Sequence, residues 1–209
     1  MTQTGDEEES SQQPEDPPIE ATKRRDRSTA WWVFEWLCVI GIALILALGV
    51  RAYVIQTFYI PSGSMEPTLN IGDRILVFKL AYDFTSPAIG DVVVFKAPPT
   101  EHCGDPAVTD LVKRIVGTPG DWIWSVGNVI YISTLPNGAN GHVLHQNWPH
   151  YATLITPITK QKIAPDHYFM MGDNHPASCD SRDWGTLPSS DIIGKVVLRI
   201  WPLSQFGTI

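Results

Sequence analysis

The residues able to do chemistry in this chain gather in three short stretches. The first is Tyr59-Ile60-Pro61-Ser62-Gly63-Ser64-Met65-Glu66-Pro67-Thr68-Leu69. Pro61 and Pro67 each fix φ near about −65°, and Gly63 takes backbone angles closed to other residues, so a stiff, sharply turned loop is expected. Such a loop can hold one hydroxyl, that of Ser62 or Ser64, at a fixed angle; the same composition also makes an ordinary surface turn. A serine hydroxyl attacks a carbonyl only when a positioned base takes its proton. His175 is one candidate base, but no Gly-x-Ser-x-Gly elbow accompanies it. Lys113 is the better one, because it interrupts the apolar run Leu111-Val112-Lys113-Arg114-Ile115-Val116. On a strand Lys113 and Arg114 point to opposite faces, so one of them is expected to face inward. Burial strips an ammonium of its hydration and drives its pKa from about 10.4 toward neutrality, leaving an amine able to act as general base. The alternative is a pair of solvated charges on an edge strand. The third stretch runs from Gly172-Asp173-Asn174-His175 through Ser178-Cys179-Asp180-Ser181-Arg182. Its Asp, Asn, Ser and Arg suit a loop bracing a site, with Asp180 and Arg182 as an ion pair and Ser178 as a partner for a lysine amine. Alone, it is a polar turn like many others.

The elements that must position these residues are also legible. Residues 1–29 are acidic and polar, then basic at Lys23-Arg24-Arg25-Asp26-Arg27, and bury too little apolar surface to fold; a disordered cytoplasmic tail is expected. Residues 30–52 are apolar, with Trp31, Trp32 and Trp36 at the front and Leu37 to Val50 behind. A helix of about 20 such residues spans a bilayer core, and Glu35 among the tryptophans falls at the headgroup level. A retained transmembrane anchor fits better than a cleaved signal peptide or a buried core helix, given the length and the lack of a polar face. The basic cluster before the span places the N-terminus in the cytoplasm and everything from about Tyr53 outside. Beyond the anchor, short runs rich in Val, Ile, Phe and Tyr alternate with Gly, Pro, Asn and Asp, and no long helical period appears. The fold class expected is mainly β, closed or sandwiched, with one N-terminal transmembrane helix. Residues 53–121 and 165–209 form the expected β core, and 122–164 an inserted small β lobe.

Composition excludes several function classes. The net charge of −7 over 209 residues resides largely in residues 1–30, which hold eight acids and four bases; residues 51–209 are nearly neutral. No basic stripe supports nucleic-acid binding. The cysteines Cys38, Cys103 and Cys179 are too dispersed for a zinc cluster and no His-Glu-x-x-His helix exists, so neither metal nor other cofactor is expected. Cys38 lies in the apolar run, which leaves Cys103 and Cys179 as the pair able to bridge in an oxidising compartment.

In order and wording, four blocks resemble the type I signal peptidases, the membrane-bound serine peptidases of protein export. They are Pro61-Ser62-Gly63-Ser64-Met65-Glu66-Pro67-Thr68-Leu69, Gly72-Asp73, Lys113 through Asp121, and Gly172-Asp173-Asn174 through Ser178, Asp180, Ser181 and Arg182. The resemblance covers about residues 50–205. It implies the family's signal-peptidase-like β fold, Ser64 as nucleophile, Lys113 as general base, and the Ser64 amide with the Ser62 hydroxyl as oxyanion hole. It further implies that Ser178 orients the Lys113 amine while Asp180 and Arg182 brace the loop. The implied substrates are preprotein signal peptides with small residues one and three positions before the cut. The implied setting is the plasma membrane, catalytic domain on the extracytoplasmic side, acting as a monomer. Membrane lipid is a further expected partner, through Phe58, Tyr59, Trp201 and Phe206. His175-Pro176 replaces the Arg often found after Gly-Asp-Asn, and Cys179 separates Ser178 from Asp180; both bear on loop geometry.

Two rivals remain open to the sequence. A self-cleaving repressor of the LexA type shares Ser–Lys chemistry, but residues 1–30 are too short and acidic for its DNA-binding domain. An inactive anchored protein that binds exported chains would tolerate loss of Ser64 or Lys113, and both are present.

Overall fold

The computed structural model describes residues 29–103, 108–144, 146–154 and 156–209; the expected tail, apart from Thr29, lies outside them. The chain divides into two units, Met1–Ala43 and Leu44–Ile209. Helix α1, Thr29–Tyr53, is apolar on all sides, with Gly41 and Gly49 but no proline to break it. Its segment Thr29–Arg51 is long and apolar enough to cross a membrane, with mean hydropathy 2.5 and none of its most apolar window buried by protein.

The second unit is β-rich and antiparallel. Strands β1 (Ile55–Tyr59), β2 (Arg74–Phe78), β3 (Val92–Lys96) and β4 (Asp110–Gly117) precede a separate sheet built from β5 (Trp122–Val126), β6 (Val129–Ser133), β7 (His142–Val143) and β8 (Gln161–Lys162). Then come β9 (His167–Met171), β10 (Leu187–Pro188), β11 (Ile192–Trp201) and β12 (Gly207–Thr208). The large sheet runs β1-β2-β11-β3-β4-β9-β10, with β12 added to β11; the small one runs β7-β6-β5-β8. Helices after α1 are single turns, α2 (Ala81–Phe84) and α3 (Ser181–Trp184).

The unbroken run Val92-Val93-Val94-Phe95 makes sense at the centre of this sheet. Val92 and Val94 join Ile60, Met65, Leu69 and Ile75 on one face, while Val93 and Phe95 join Ile115, Met170 and Leu187 on the other. A strand covered on both faces needs no polar alternation, and each such side chain contributes roughly 1.5–3 kcal/mol. A third cluster, including Val116, Ile123, Phe169 and Met171, fills the space under the small sheet. Met65 and Leu69 belong to the first cluster and are 1% and 0% exposed, so the serine-bearing loop is nailed to the core just beyond Ser64.

Candidate active site

Strand β4 carries the two cations in its middle, and the pleat sends them apart. Neither is a surface charge: Lys113 is 4% exposed and Arg114 5%. The expectation that one of the two faces inward is therefore too modest, because both faces of β4 are covered here. The Lys113 Nζ lies 2.6 Å from Ser64 Oγ, in a hydrogen bond between residues 49 apart in sequence. Loss of hydration lowers the lysine pKa to about 8. Asp180 pulls it back upward and Arg182 pushes it further down, each through its charge.

Ser64 sits in a one-turn 3₁₀ helix, Gly63–Met65, with Ser62 extended just ahead of it. Ser62 is exposed, and its Oγ is 3.5 Å from Ser64 Oγ. The two hydroxyls and the amine thus face one another at the floor of a groove lined by residues 58–62 and 110–113. Along that groove β4 has a half-free edge. Residues 110–114 pair with β3, whereas pairing with β9 begins only at Arg114.

Arg114, on the other face, is fully paired. Its Nε and one terminal nitrogen grip Asp173 at 2.9 and 2.7 Å, the other donates to the Gly90 carbonyl at 2.6 Å, and Trp148 covers the guanidinium plane at 4.8 Å. This pair fixes Asp173, and with it the turn that faces the serine loop. Asn174 Nδ2 donates to the Gly63 carbonyl and its backbone N–H to the Ser64 carbonyl, both at 3.0 Å. Gly172 has to be glycine: a Cβ there would stand 2.3 Å from both the Ser64 carbonyl oxygen and Ser178 Oγ.

Asp180 and Arg182 form a second buried pair, with Arg182 Nε and one terminal nitrogen each 2.7 Å from the carboxylate. Asp180 also caps α3, accepting from the Arg182 N–H while Asp183 accepts from the Asp180 N–H. It holds the Gly172 N–H at 3.2 Å as well. Arg182 in turn donates to the carbonyls of His175 and Ser178. Ser178 departs from expectation: its Oγ is buried beside Gly172 and, among the described residues, makes no hydrogen bond to Lys113 or to any other group. The lysine amine is turned to Ser64 instead. Cys179, next along, is bonded to Cys103, with Cα atoms 6.0 Å apart. Glu101 approaches both sulfurs, but a disulfide offers no thiolate to a metal.

His175 is buried against His150, with ring centroids 5.4 Å apart, and no hydrogen bond links it to Ser64. Burial, reinforced by the charges of Arg182 and His150, lowers its pKa to about 4. The sequence placed Asn174 only within a bracing loop and Arg114 only as a candidate for burial, and it gave Trp148 no role. Asp173 stands 59 residues from Arg114 and Gly63 stands 111 from Asn174, and nothing local in the sequence announces such contacts.

A family model described as "Signal peptidase, peptidase S26" matches residues 33–201. The chain is 32% identical to signal peptidase I of Leptolyngbya laminosa over 94% of this chain and 93% of that one. It is 38% identical to probable signal peptidase I-2 of Synechocystis sp., over 80% and 72% respectively. It is 35% identical to the probable thylakoidal processing peptidase 2 of Arabidopsis thaliana, over 80% of this chain and 44% of the plant protein.

Proposed function

This chain belongs to the signal peptidase family, peptidase S26, and on that premise we propose that it is a membrane-anchored serine endopeptidase that removes signal peptides using Ser64 and Lys113. The observation that carries the assignment of roles is the 2.6 Å contact between Ser64 Oγ and a buried lysine whose pKa is lowered to about 8. In its neutral form the Lys113 amine accepts the Ser64 proton as Oγ attacks the scissile carbonyl. The negative charge then forming on the carbonyl oxygen meets the Ser64 N–H and the Ser62 hydroxyl, an oxyanion hole in which each donor is worth roughly 3–4 kcal/mol. The tetrahedral adduct collapses, Lys113 returns its proton to the leaving amine, and the acyl chain stays on Ser64. Lys113 next takes a proton from water, whose oxygen attacks the ester, and then hands that proton to the departing Ser64 Oγ, which frees the signal peptide and restores the enzyme. Asp180 and Arg182 brace the loop behind the amine.

The half-free edge of β4 suits an extended substrate added as a strand. Side chains two apart in such a peptide point the same way, so residues one and three before the cut enter the same wall of the groove. Small residues at both positions fit its shallow floor. Tyr59 and Trp201 flank Arg74 in register on neighbouring strands, and with Leu203 and Phe206 they are more than half exposed. We assign this apolar surface to lipid contact; Phe58 instead lines the groove and packs on the core. Helix α1 anchors the chain as a single span of the plasma membrane, with the basic segment cytoplasmic and the catalytic unit, a monomer, outside. The test is cleavage of a preprotein with an Ala-x-Ala site by the full chain in liposomes. The wild type should cleave it at the predicted bond and Ser64→Ala should not; cleavage by Ser64→Ala would remove the nucleophile assignment.

A further inference from the structure

We propose that Asn174 is a positioning residue that aims the oxyanion-hole N–H of Ser64, by holding the Gly63 carbonyl at the opposite end of the same peptide plane. This inference rests on the assignment of Ser64 as nucleophile. The Gly63–Ser64 peptide contains both the Gly63 C=O and the Ser64 N–H, and in a planar trans peptide the two point in opposite directions. Fixing one therefore fixes the other. The Gly63 oxygen accepts Asn174 Nδ2 at 3.0 Å and the Glu66 N–H at 3.1 Å, so both of its lone-pair directions are used. Without the Asn174 donor this plane would hang on a single bond within a one-turn helix that has no side-chain cap.

Asn174 is itself held from several sides. Its own N–H donates to the Ser64 carbonyl, which pins the far side of the nucleophile as well. Asp173, one residue earlier, is clamped by Arg114 through its side chain, while its carbonyl accepts the Tyr151 N–H at 2.8 Å. Tyr151 and Asn174 form a parallel bridge. The absence of a Cβ at Gly172 lets the Ser64 carbonyl come this close. The chain thus runs from the Arg114–Asp173 ion pair through Asn174 to the peptide plane that meets the transition state. Ground-state binding along the edge of β4 involves other atoms, so a tilt of this plane should cost turnover and not affinity.

The experiment compares wild type, Ser64→Ala, Asn174→Ala and Asn174→Asp, each as the full chain in liposomes. Asn174→Asp keeps the shape and replaces the donating group with an acceptor, so it reports on the hydrogen bond even if the alanine variant folds poorly. For both Asn174 variants kcat should fall about 10²–10³-fold with KM within threefold, the loss seen when one oxyanion donor is misplaced. A peptide aldehyde, whose adduct on Ser64 carries a tetrahedral oxygen, should lose affinity by the same factor as kcat/KM. The midpoint of the acid limb of the pH profile should not move in Asn174→Ala, because Lys113 is untouched; the carboxylate added by Asn174→Asp should shift it upward if at all. If Asn174→Asp keeps kcat within threefold of wild type, or if its loss appears in KM with aldehyde affinity unchanged, Asn174 does not aim the N–H. A wild type that is inert on preproteins, indistinguishable from Ser64→Ala, would remove the underlying assignment; an active wild type with unaffected Asn174 variants removes this inference alone.

Discussion

Lys113 and Arg114 are neighbours on one strand, almost equally buried, and the protein treats their charges in opposite ways. Arg114 is given a carboxylate at bidentate distance, a carbonyl and an aromatic face. Lys113 is given a hydroxyl, with its most influential carboxylate, Asp180, already engaged by Arg182. The arginine becomes a structural rivet, whereas the lysine, its burial only partly offset by Asp180, has its pKa lowered toward neutrality. What separates a rivet from a base is thus the partner and not the depth of burial.

Replacing Lys113 should break the contrast most severely. Lys113→Met should lower kcat/KM by about 10²–10⁴-fold, the usual worth of a positioned base. Its effect on stability should have the opposite sign. The folded lysine has its pKa lowered from 10.5 to about 8, so the unfolded chain binds this proton more tightly. The penalty is fully present below pH 8, shrinks as pH rises from about 8 to about 10.5, and vanishes above. Lys113→Met should therefore stabilise the fold at pH 7 by up to about 3 kcal/mol, with the difference from wild type narrowing through that window in thermal melts. Arg114→Met should do the reverse: it strands the Asp173 carboxylate and should cost about 3–5 kcal/mol, read as a lower melting temperature in detergent. If both substitutions destabilise alike, the two cations do not differ as described.

Smaller effects sharpen the same comparison. The Cys103–Cys179 bond ties the residue before Asp180 to the segment after β3 across 76 positions, and Cys103→Ser should cost about 2–4 kcal/mol in a denaturant titration. At the low end, Val126→Ser on the small sheet, a position 63% exposed, should change stability by no more than about 0.5 kcal/mol and leave cleavage rates alone.

The sequence spoke most clearly where the physics is local. A glycine between two serines and two prolines, a lysine breaking an apolar run, and long stretches of β-branched residues each carry their meaning in a few neighbours. Burial of Arg114 did not show, because alternation promises one inward face and gives no hint that Trp148 and the Gly172–Asn174 turn cover the other. The bracing of the Gly63 carbonyl by a side chain 111 residues away is equally invisible in one chain. Ser178 shows the reverse: its polar loop and the motif resemblance both suggested a hydrogen bond to Lys113 that its buried Oγ does not make. The two-residue strands β7, β8, β10 and β12 are too short to display any alternation at all.

The most direct test of the Ser64–Lys113 account is the pH dependence of kcat/KM for preprotein cleavage by the full-length chain in liposomes. A neutral Lys113 is the working base, so the rate should climb tenfold per pH unit on the acid side and level off near pH 8, the pKa that burial imposes. A limb that bends near pH 4 and disappears in His175→Ala, or one still rising at pH 10 as for a solvated lysine, would contradict it.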